Sequence, residues 1–258
     1  MKKVLLLLTV LFSAATLSFA DAKNIVYKES FSFAQIENLK ISLTYEDLQI
    51  SQIYGDEIVV EIGSNNRNKT PEVFVDDDIL KIQTKEQKVR RGERCNVYVY
   101  LPQDFFAKSI ELNNTSGNIT VDILKAENAI LVNNVSGRTD IGNCQTELFT
   151  STNVSGNSTL QKIVAEYFQL SSTSGNLFAQ LEQAPEATSQ LTNISGKTQL
   201  YYPKDSNFEI VAFTITGNIK TDSQTQKNAG SNYQTTIGTG GAQVSITSVS
   251  GKIEMVGY

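Results

Sequence analysis

The sequence predicts an all-β chain wound as a single-chain parallel β-solenoid, with coils of about 20 residues and a less regular N-terminal β cap region. Three observations carry this prediction. An apolar run ending in Ser-Gly or Thr-Gly recurs seven times, with glycines at Gly117, Gly137, Gly156, Gly175, Gly196, Gly217 and Gly251, and the first five intervals are 20, 19, 19, 21 and 21 residues. Apolar residues ahead of each glycine alternate with period two, the strand period, and no 3.6-residue period is sustained. Polar residues also recur at fixed offsets from the glycine, as expected where successive repeats stack in register.

The first element is residues 1–20. "MKK" is a basic start, "VLLLLTVLFSAATL" is apolar, and Ser18 and Ala20 stand three and one residues before Asp21. That order predicts a secretory signal peptide cut before Asp21. The apolar run is shorter than the roughly 20 residues a membrane span needs, and Asp at position 21 rather than Cys argues against a lipid anchor. An exported chain of residues 21–258 is expected, with no integral membrane segment after cleavage, placed in the periplasm, on the outer surface or outside the cell.

Residues 21–108 form the irregular N-terminal part of a single domain, and residues 109–258 its repeat coils. The segments "LKISLTYEDLQI", "DEIVVEIG", "EVFVDDDILKIQTK" and "NVYVYLPQDF" read as strands. "VFVDDDILKI" reads as a hairpin with an acidic tip, because a calcium site needs six to eight oxygens from a shaped loop. The basic run "KVRRGER" (88–94) reads as a solvated loop. The final interval is 34 residues and carries the insertion "DSQTQKNAGSNYQTTIGTGG". It is expected to cap the far end, with "NYQTTI" and "AQVSIT" as strands.

Within the repeats, offsets from the glycine sort the side chains. Seven before it stand Ile110, Ile130, Phe149, Phe168, Ser189, Ile210 and Val244; five before stand Leu112, Val132, Ser151, Leu170, Leu191, Ala212 and Ile246. Four after stand Val121, Ile141, Leu160, Ala179, Leu200, Thr221 and Met255. These positions are expected to face inward. So are the β-branched residues two before the glycine, Thr115, Val135, Val154, Thr173, Ile194, Ile215 and Val249, after a phase shift of the kind a bend or bulge produces. Each repeat is then two short strands with a glycine corner, where Gly supplies positive φ or close approach of coils. Coils are expected to follow one another along the stack, about nine to ten of them, in a rod of roughly 45 Å.

Two polar columns accompany the corner. Asn114, Asn134, Asn153 and Asn193, with Ser172, Thr214 and Ser248, stand three before the glycine. Ser116, Ser136, Ser155, Ser174, Ser195 and Ser250, with Thr216, stand one before it. They read as structural ladders that satisfy backbone groups left open by the bend. The Asn-X-Ser/Thr sites this creates are a by-product of the repeat.

Charge and residue inventory narrow the function. Without Lys2 and Lys3 the chain holds 20 basic and 27 acidic residues, a net charge of −7, which disfavours a nucleic-acid partner. There is no histidine, so Ser-His-Asp and Cys-His nucleophile systems and histidine-bearing zinc sites are ruled out. A carboxylate pair for glycoside hydrolysis finds only Asp122, Asp140 and Asp222, at different phases of the repeat. No cofactor, metal site or catalytic residue is assigned. Cys95 and Cys144 in an exported chain raise the question of a disulfide. Their 49-residue separation and differing phase set about 10 Å or more between two stacked turns, against the ~7 Å a bridge allows, and the pairing stays open.

The recurrent "VSGN/K/R", the segment "YVYLPQDF" and the ending "IGTGGAQVSITSVSGKIEM" resemble the "putative adhesin" family of bacterial exported β-strand repeat proteins, also called toastrack and related to the head-GIN domain. The resemblance covers nearly the whole mature chain. It implies a β-helical fold, an envelope or surface location, and a role in adhesion or in envelope-stress signalling, with no catalytic residues attached. The commoner pattern places Asp after the glycine; here Asn118, Asn157, Asn176 and Asn218 alternate with Arg138, Lys197 and Lys252.

The function expected is therefore a non-catalytic exported binding protein that meets a protein or glycan at the cell surface or envelope. The alternatives are a periplasmic envelope-stress or assembly component, and a glycan-cleaving β-helix. Variable loops such as "QLEQAPEATS", "YYPKDSNF" and "GNCQTEL" leave the regular scaffold, and Tyr201, Tyr202 and Phe208 are the aromatic residues best suited to contact a partner.

Overall fold

Alternation in the residues before each glycine gives one strand, and alternation after it gives another; the corner between them sets two sheets face to face. The computed structural model describes residues 24–66, 69–85, 92–221, 225–226 and 230–258. The expected signal peptide and most of the "KVRRGER" run lie outside the described residues. In the front sheet Ile130 pairs with Ile110 on one side and Phe149 on the other. In the back sheet Ile141 pairs likewise with Val121 and Leu160. All these pairings are parallel, and equivalent residues of successive coils stack in ladders. The chain is an all-β parallel solenoid.

Nine parallel strands form the front sheet among the described residues. Their order is Ile79–Gln83, Asn38–Leu43, Ala107–Asn114, Leu124–Ser136, Cys144–Ser155, Ser158–Ser174, Ser189–Tyr202, Gln243–Gly257 and Phe208–Thr214. Antiparallel strands close both ends: Glu72–Asp76 lies on Ile79–Gln83, and Asn232–Ile237 on Phe208–Thr214. The three adjacent aspartates form the tip of the first of these hairpins, with Asp77 at φ 55°.

The stack does not follow chain order at either end, which corrects the expectation of simple succession. Gly251, not Gly217, lies on Gly196, and the coil of Gly217 lies outside it. The long last interval makes this possible: the chain runs out to the end layer, turns back through Asn232–Ile237, and lays Gln243–Gly257 into the slot between. "AQVSIT" therefore belongs to an interior strand. At the other end Asn38–Leu43 and Asp47–Ile53 lie inside Ile79–Gln83 and Cys95–Pro102. The N-terminal region thus supplies two full layers besides its capping strands. Placing each end strand between two neighbours pairs both of its edges and withdraws it from edge-to-edge association.

The core lies between the sheets. Ile110, Ile130, Phe149, Phe168, Ile210 and Val244 are buried in one column, and Leu112, Val132, Leu170, Leu191, Ala212 and Ile246 in the next. Large and small side chains compensate: Phe149 is beside Ser151, and buried Ser189 is beside Leu191. Ser189 is satisfied because its Oγ accepts from the Phe168 N–H at 3.0 Å and donates to the Ala187 carbonyl at 3.1 Å. Leu124, Cys144, Ile163 and Leu181 stack in a further buried column on a short third side.

One inward assignment is overturned. The β-branched residues two before the glycine face solvent, with Val135, Val154, Ile194, Ile215 and Val249 between 41% and 49% exposed. The residue before each of them, Asn or Ser or Thr, is the buried one. At the corner the chain turns, so the residues two and one before the glycine both point outward.

Candidate functional site

The corner is built from three residue types with separate tasks. Glycine permits the close approach: a Cβ on Gly175, at φ 131°, would stand 1.9 Å from the carbonyl oxygen of Gly156. Inward Asn tethers the coils, since Asn134, Asn153 and Asn193 donate from Nδ2 to the carbonyls of Gly117, Gly137 and Gly175 at 3.1 to 3.2 Å. The serines one before the glycine contribute their backbone. The N–H groups of Gly137, Gly156 and Gly175 donate to the carbonyls of Ser155, Ser174 and Ser195 at 3.0 to 3.1 Å. Their hydroxyls face outward, and Ser116 Oγ donates to the Thr44 carbonyl at 3.0 Å.

The residue after the glycine completes the corner in a way the sequence pattern did not reveal. Asn118 Oδ1 accepts from the Arg138 N–H at 3.0 Å, Asn157 Oδ1 from Asn176 at 3.0 Å, and Asn176 Oδ1 from Lys197 at 3.2 Å. Asp47 does the same for Asn118 at 2.8 Å. Asn and Asp are equivalent here because the task is to accept one hydrogen bond from the next coil.

Outward residues of the front sheet form the candidate site. The column two before the glycine runs Thr115, Val135, Val154, Thr173, Ile194, Val249, Ile215 in stack order. Beside it stand Asn113, Asn133, Thr152, Ser171, Thr192, Thr247 and Phe213, and beyond these Glu111, Leu131, Thr150, Gln169, Gln190, Ser245 and Val211. With the Ser/Thr column one before the glycine, four outward columns cross seven strands and hold one ionisable side chain, Glu111. At strand spacing this face measures about 30 Å by 20 Å. Its polar groups are tied along the stack: Asn133 Nδ2 donates to Asn113 Oδ1 at 2.9 Å, and Ser171 Oγ to Thr152 Oγ1 at 3.2 Å.

Charge is carried beyond these four columns, by Lys40 and Lys81 on the neighbouring front-sheet strands and by the back sheet. On the back sheet Arg138 and Asp140 pair at 2.6 Å, and Glu254 lies 2.6, 3.2 and 3.7 Å from Lys197, Lys220 and Lys252. These contacts, led by the hydrogen bond from Lys197, pull the Glu254 carboxyl down to about 2. Asp140 is thus an ion-pair partner, Asp122 is exposed, and Asp222 lies outside the described residues.

The three aromatic residues separate. Phe208 is fully buried and Tyr202 is 9% exposed; their rings pack edge to face with centroids 5.5 Å apart. They are core residues, which corrects the expectation of a three-ring contact. Tyr201 alone is half-exposed, on the back sheet, where it packs 5.1 Å from Phe178. Alternation within Ser189–Tyr202 requires this, because adjacent residues of a strand face opposite ways.

Cys95 and Cys144 are both free and buried. At least three layers separate them, or about 14 Å at strand spacing, and burial pushes each thiol up to about 12. Among the described residues no group of three or more His, Cys, Asp or Glu side chains is placed to hold a metal ion, and no helix is long and apolar enough to cross a membrane.

A single-chain parallel β-solenoid with glycine corners and one nearly uncharged face is the class of protein these features define. The chain belongs to the Toastrack DUF4097 family, whose model matches residues 36–187. It is also similar to several solved structures. One, called a "putative adhesin", is from Parabacteroides distasonis, with 14% identity, TM-score 0.48, and 89% of this chain and 96% of that chain covered. A "putative adhesin" from Bacteroides fragilis shows 12% identity, TM-score 0.47 and the same coverages, 89% and 96%. A "putative lipid binding protein" from Parabacteroides distasonis shows 11% identity, TM-score 0.45 and again 89% and 96%. No curated protein matches the chain.

Proposed function

We propose that this protein is a non-catalytic, exported binding protein of the adhesin type, which meets a protein or glycan of the cell surface or envelope through its front face. The observation that carries this reading is the near absence of charge across four outward columns of a chain with 27 acidic residues. Drying a face costs most where ionised groups must be desolvated, and this face has one. Its backbone groups are already paired within the sheet, and its side chains stand on a rigid stack, so little conformational freedom is lost on contact. Methyl groups of Val135, Val154 and Ile194 supply apolar contact, and the flanking hydroxyls and amides supply hydrogen bonds to a neutral partner.

The test is binding of the purified protein to isolated native envelopes. Val154→Glu with Ile194→Glu places two carboxylates in the exposed column and should leave folding intact. Affinity should fall at least about tenfold, as when charge is forced into a dry contact. Unchanged binding by the double variant would remove the front face from the reading. Protease access in intact cells separates an exposed adhesin from a periplasmic component.

A further inference from the structure

We propose that the front face pairs with the front face of a second copy of this chain, so that the partner in the contact is the protein itself. This rests on the reading of the front face as the binding surface, and it names what binds there. Open apolar surface is concentrated on that face. Eleven large apolar side chains are exposed among the described residues, and six of them, Val135, Val154, Ile194, Val249, Ile215 and Phe213, lie here. The first five follow one another in stack order two before the glycine, interrupted only by Thr173. An apolar stripe flanked by Asn, Ser and Thr rather than by charge has the composition of a contact surface. It continues without charge onto the antiparallel end strand, where exposed Asn232 and Gln234 pair with Phe213 and Val211.

The face is also periodic. Each column repeats at the layer spacing of about 4.8 Å through seven layers. A partner stays in step with such ladders across the whole face only if it has the same spacing and the same twist. A second copy of this sheet meets both conditions, and the columns of one copy can fill the furrows between the columns of the other. Irregular loop surfaces have no such repeat. Phe213 is the one aromatic ring in the four columns, and branched aliphatic methyls suit packing against another aliphatic surface better than stacking on sugar rings.

Charge permits the self-contact. In a two-fold dimer the same patch meets itself, so it must not repel its own copy. Glu111 stands at a corner of the face, in the first of the seven layers and in the column farthest from the glycine. A two-fold axis through the centre of the face, along the strands or along the stack, carries Glu111 to another corner, about 17 Å away or more. Its carboxylate is already paired with Lys40 at 2.7 Å. The face contributes about 600 Å² from each copy and about 1,200 Å² in the pair, at the lower end of the range for specific, stable interfaces.

The experiment is sedimentation of the full exported chain over a range of concentrations. A monomer–dimer equilibrium is expected between roughly 1 and 500 μM. Val154→Glu with Ile194→Glu, and separately Thr173→Arg, should weaken it at least about tenfold with an unchanged circular dichroism spectrum. Ser171 lies in the fourth layer near the centre of the face. Ser171→Cys should therefore give covalent dimers with a bis-maleimide of about 10 Å span, whereas Thr120→Cys, exposed on the back sheet, should not. The native thiols are buried and do not compete. A chain that stays monomeric throughout the range overturns the proposal, as does a dimer that both charge variants leave unchanged. If the double variant does not fold, Thr173→Arg alone provides the comparison. Envelopes from native cells lacking the gene separate this proposal from the reading beneath it, because without a second copy they should not bind the purified protein. Binding to them that Val154→Glu with Ile194→Glu abolishes would overturn the second copy as partner and leave the front face as the binding surface.

Discussion

Asn153 donates its Nδ2 proton to the carbonyl oxygen of Gly137, sixteen residues earlier in sequence and one coil away in space, at 3.2 Å. The side chain is buried, and the contact repeats for Asn134 and Asn193. Asn153→Ala removes the donor and leaves the glycine carbonyl without it, which should destabilise the fold by about 1–3 kcal/mol. Ser172 holds the same position one coil on, and its buried hydroxyl has no partner among the described residues. Ser172→Ala should be close to neutral. Urea denaturation of the two variants against the parent checks both.

The glycine corner makes a steric prediction that can be separated from its conformational one. Gly175 and Gly55 have similar φ values of 131° and 135°, but a Cβ on Gly55 would meet nothing within 4 Å. Gly55→Ala should cost only the strain of that backbone conformation, about 1–2 kcal/mol. Gly175→Ala adds a clash with the Gly156 carbonyl at 1.9 Å and should cost at least about 3 kcal/mol. Thermal unfolding of the pair reads the difference.

Glu254 ties stability to acid pH. Its carboxyl is held down to about 2 by Lys197, with Lys220 and Lys252 contributing. A lowered folded-state value means that the contribution is complete above the unfolded carboxyl range, near 4.5, and is lost as pH falls toward 2. Urea midpoints should therefore decline across that window. Glu254→Gln should lower stability at pH 7 by an amount on the order of 1 kcal/mol and flatten the decline.

The two thiols should be silent in the native protein. Burial raises both to about 12, so the reactive thiolate is scarce at neutral pH. Iodoacetamide should label neither Cys95 nor Cys144 until denaturant is added, and then both. A mass two units lower before reduction would show that a bridge forms.

Periodicity made the coil length legible, along with the inward columns seven and five before the glycine and four after it. The column two before the glycine misled, because β-branched residues suit strands whether buried or exposed, and a corner lets two consecutive residues face out. The nearly uncharged front face was present in the same alignment, as a lack of charge after Glu111 through equivalent positions of each repeat. Tyr202 and Phe208 were misplaced because strand continuity through "LYY" shows only in the pairing of Ser189–Tyr202 with Gln243–Gly257.

By itself the sequence determined that equivalent residues of successive repeats would touch, since local alternation and a constant interval leave a stack as the way to bury every apolar column. Tertiary structure alone decided which coil lies next to which at the two ends, where the long last interval lets Gln243–Gly257 enter between Ser189–Tyr202 and Phe208–Thr214. It also brought Glu147 against Glu166 on the third side. The physical reason is that a parallel ladder accepts any strand of matching pattern: propensity and alternation are local and the same in every repeat, whereas the choice among equivalent neighbours rests on the reach of the connecting chain and on edges that must be paired.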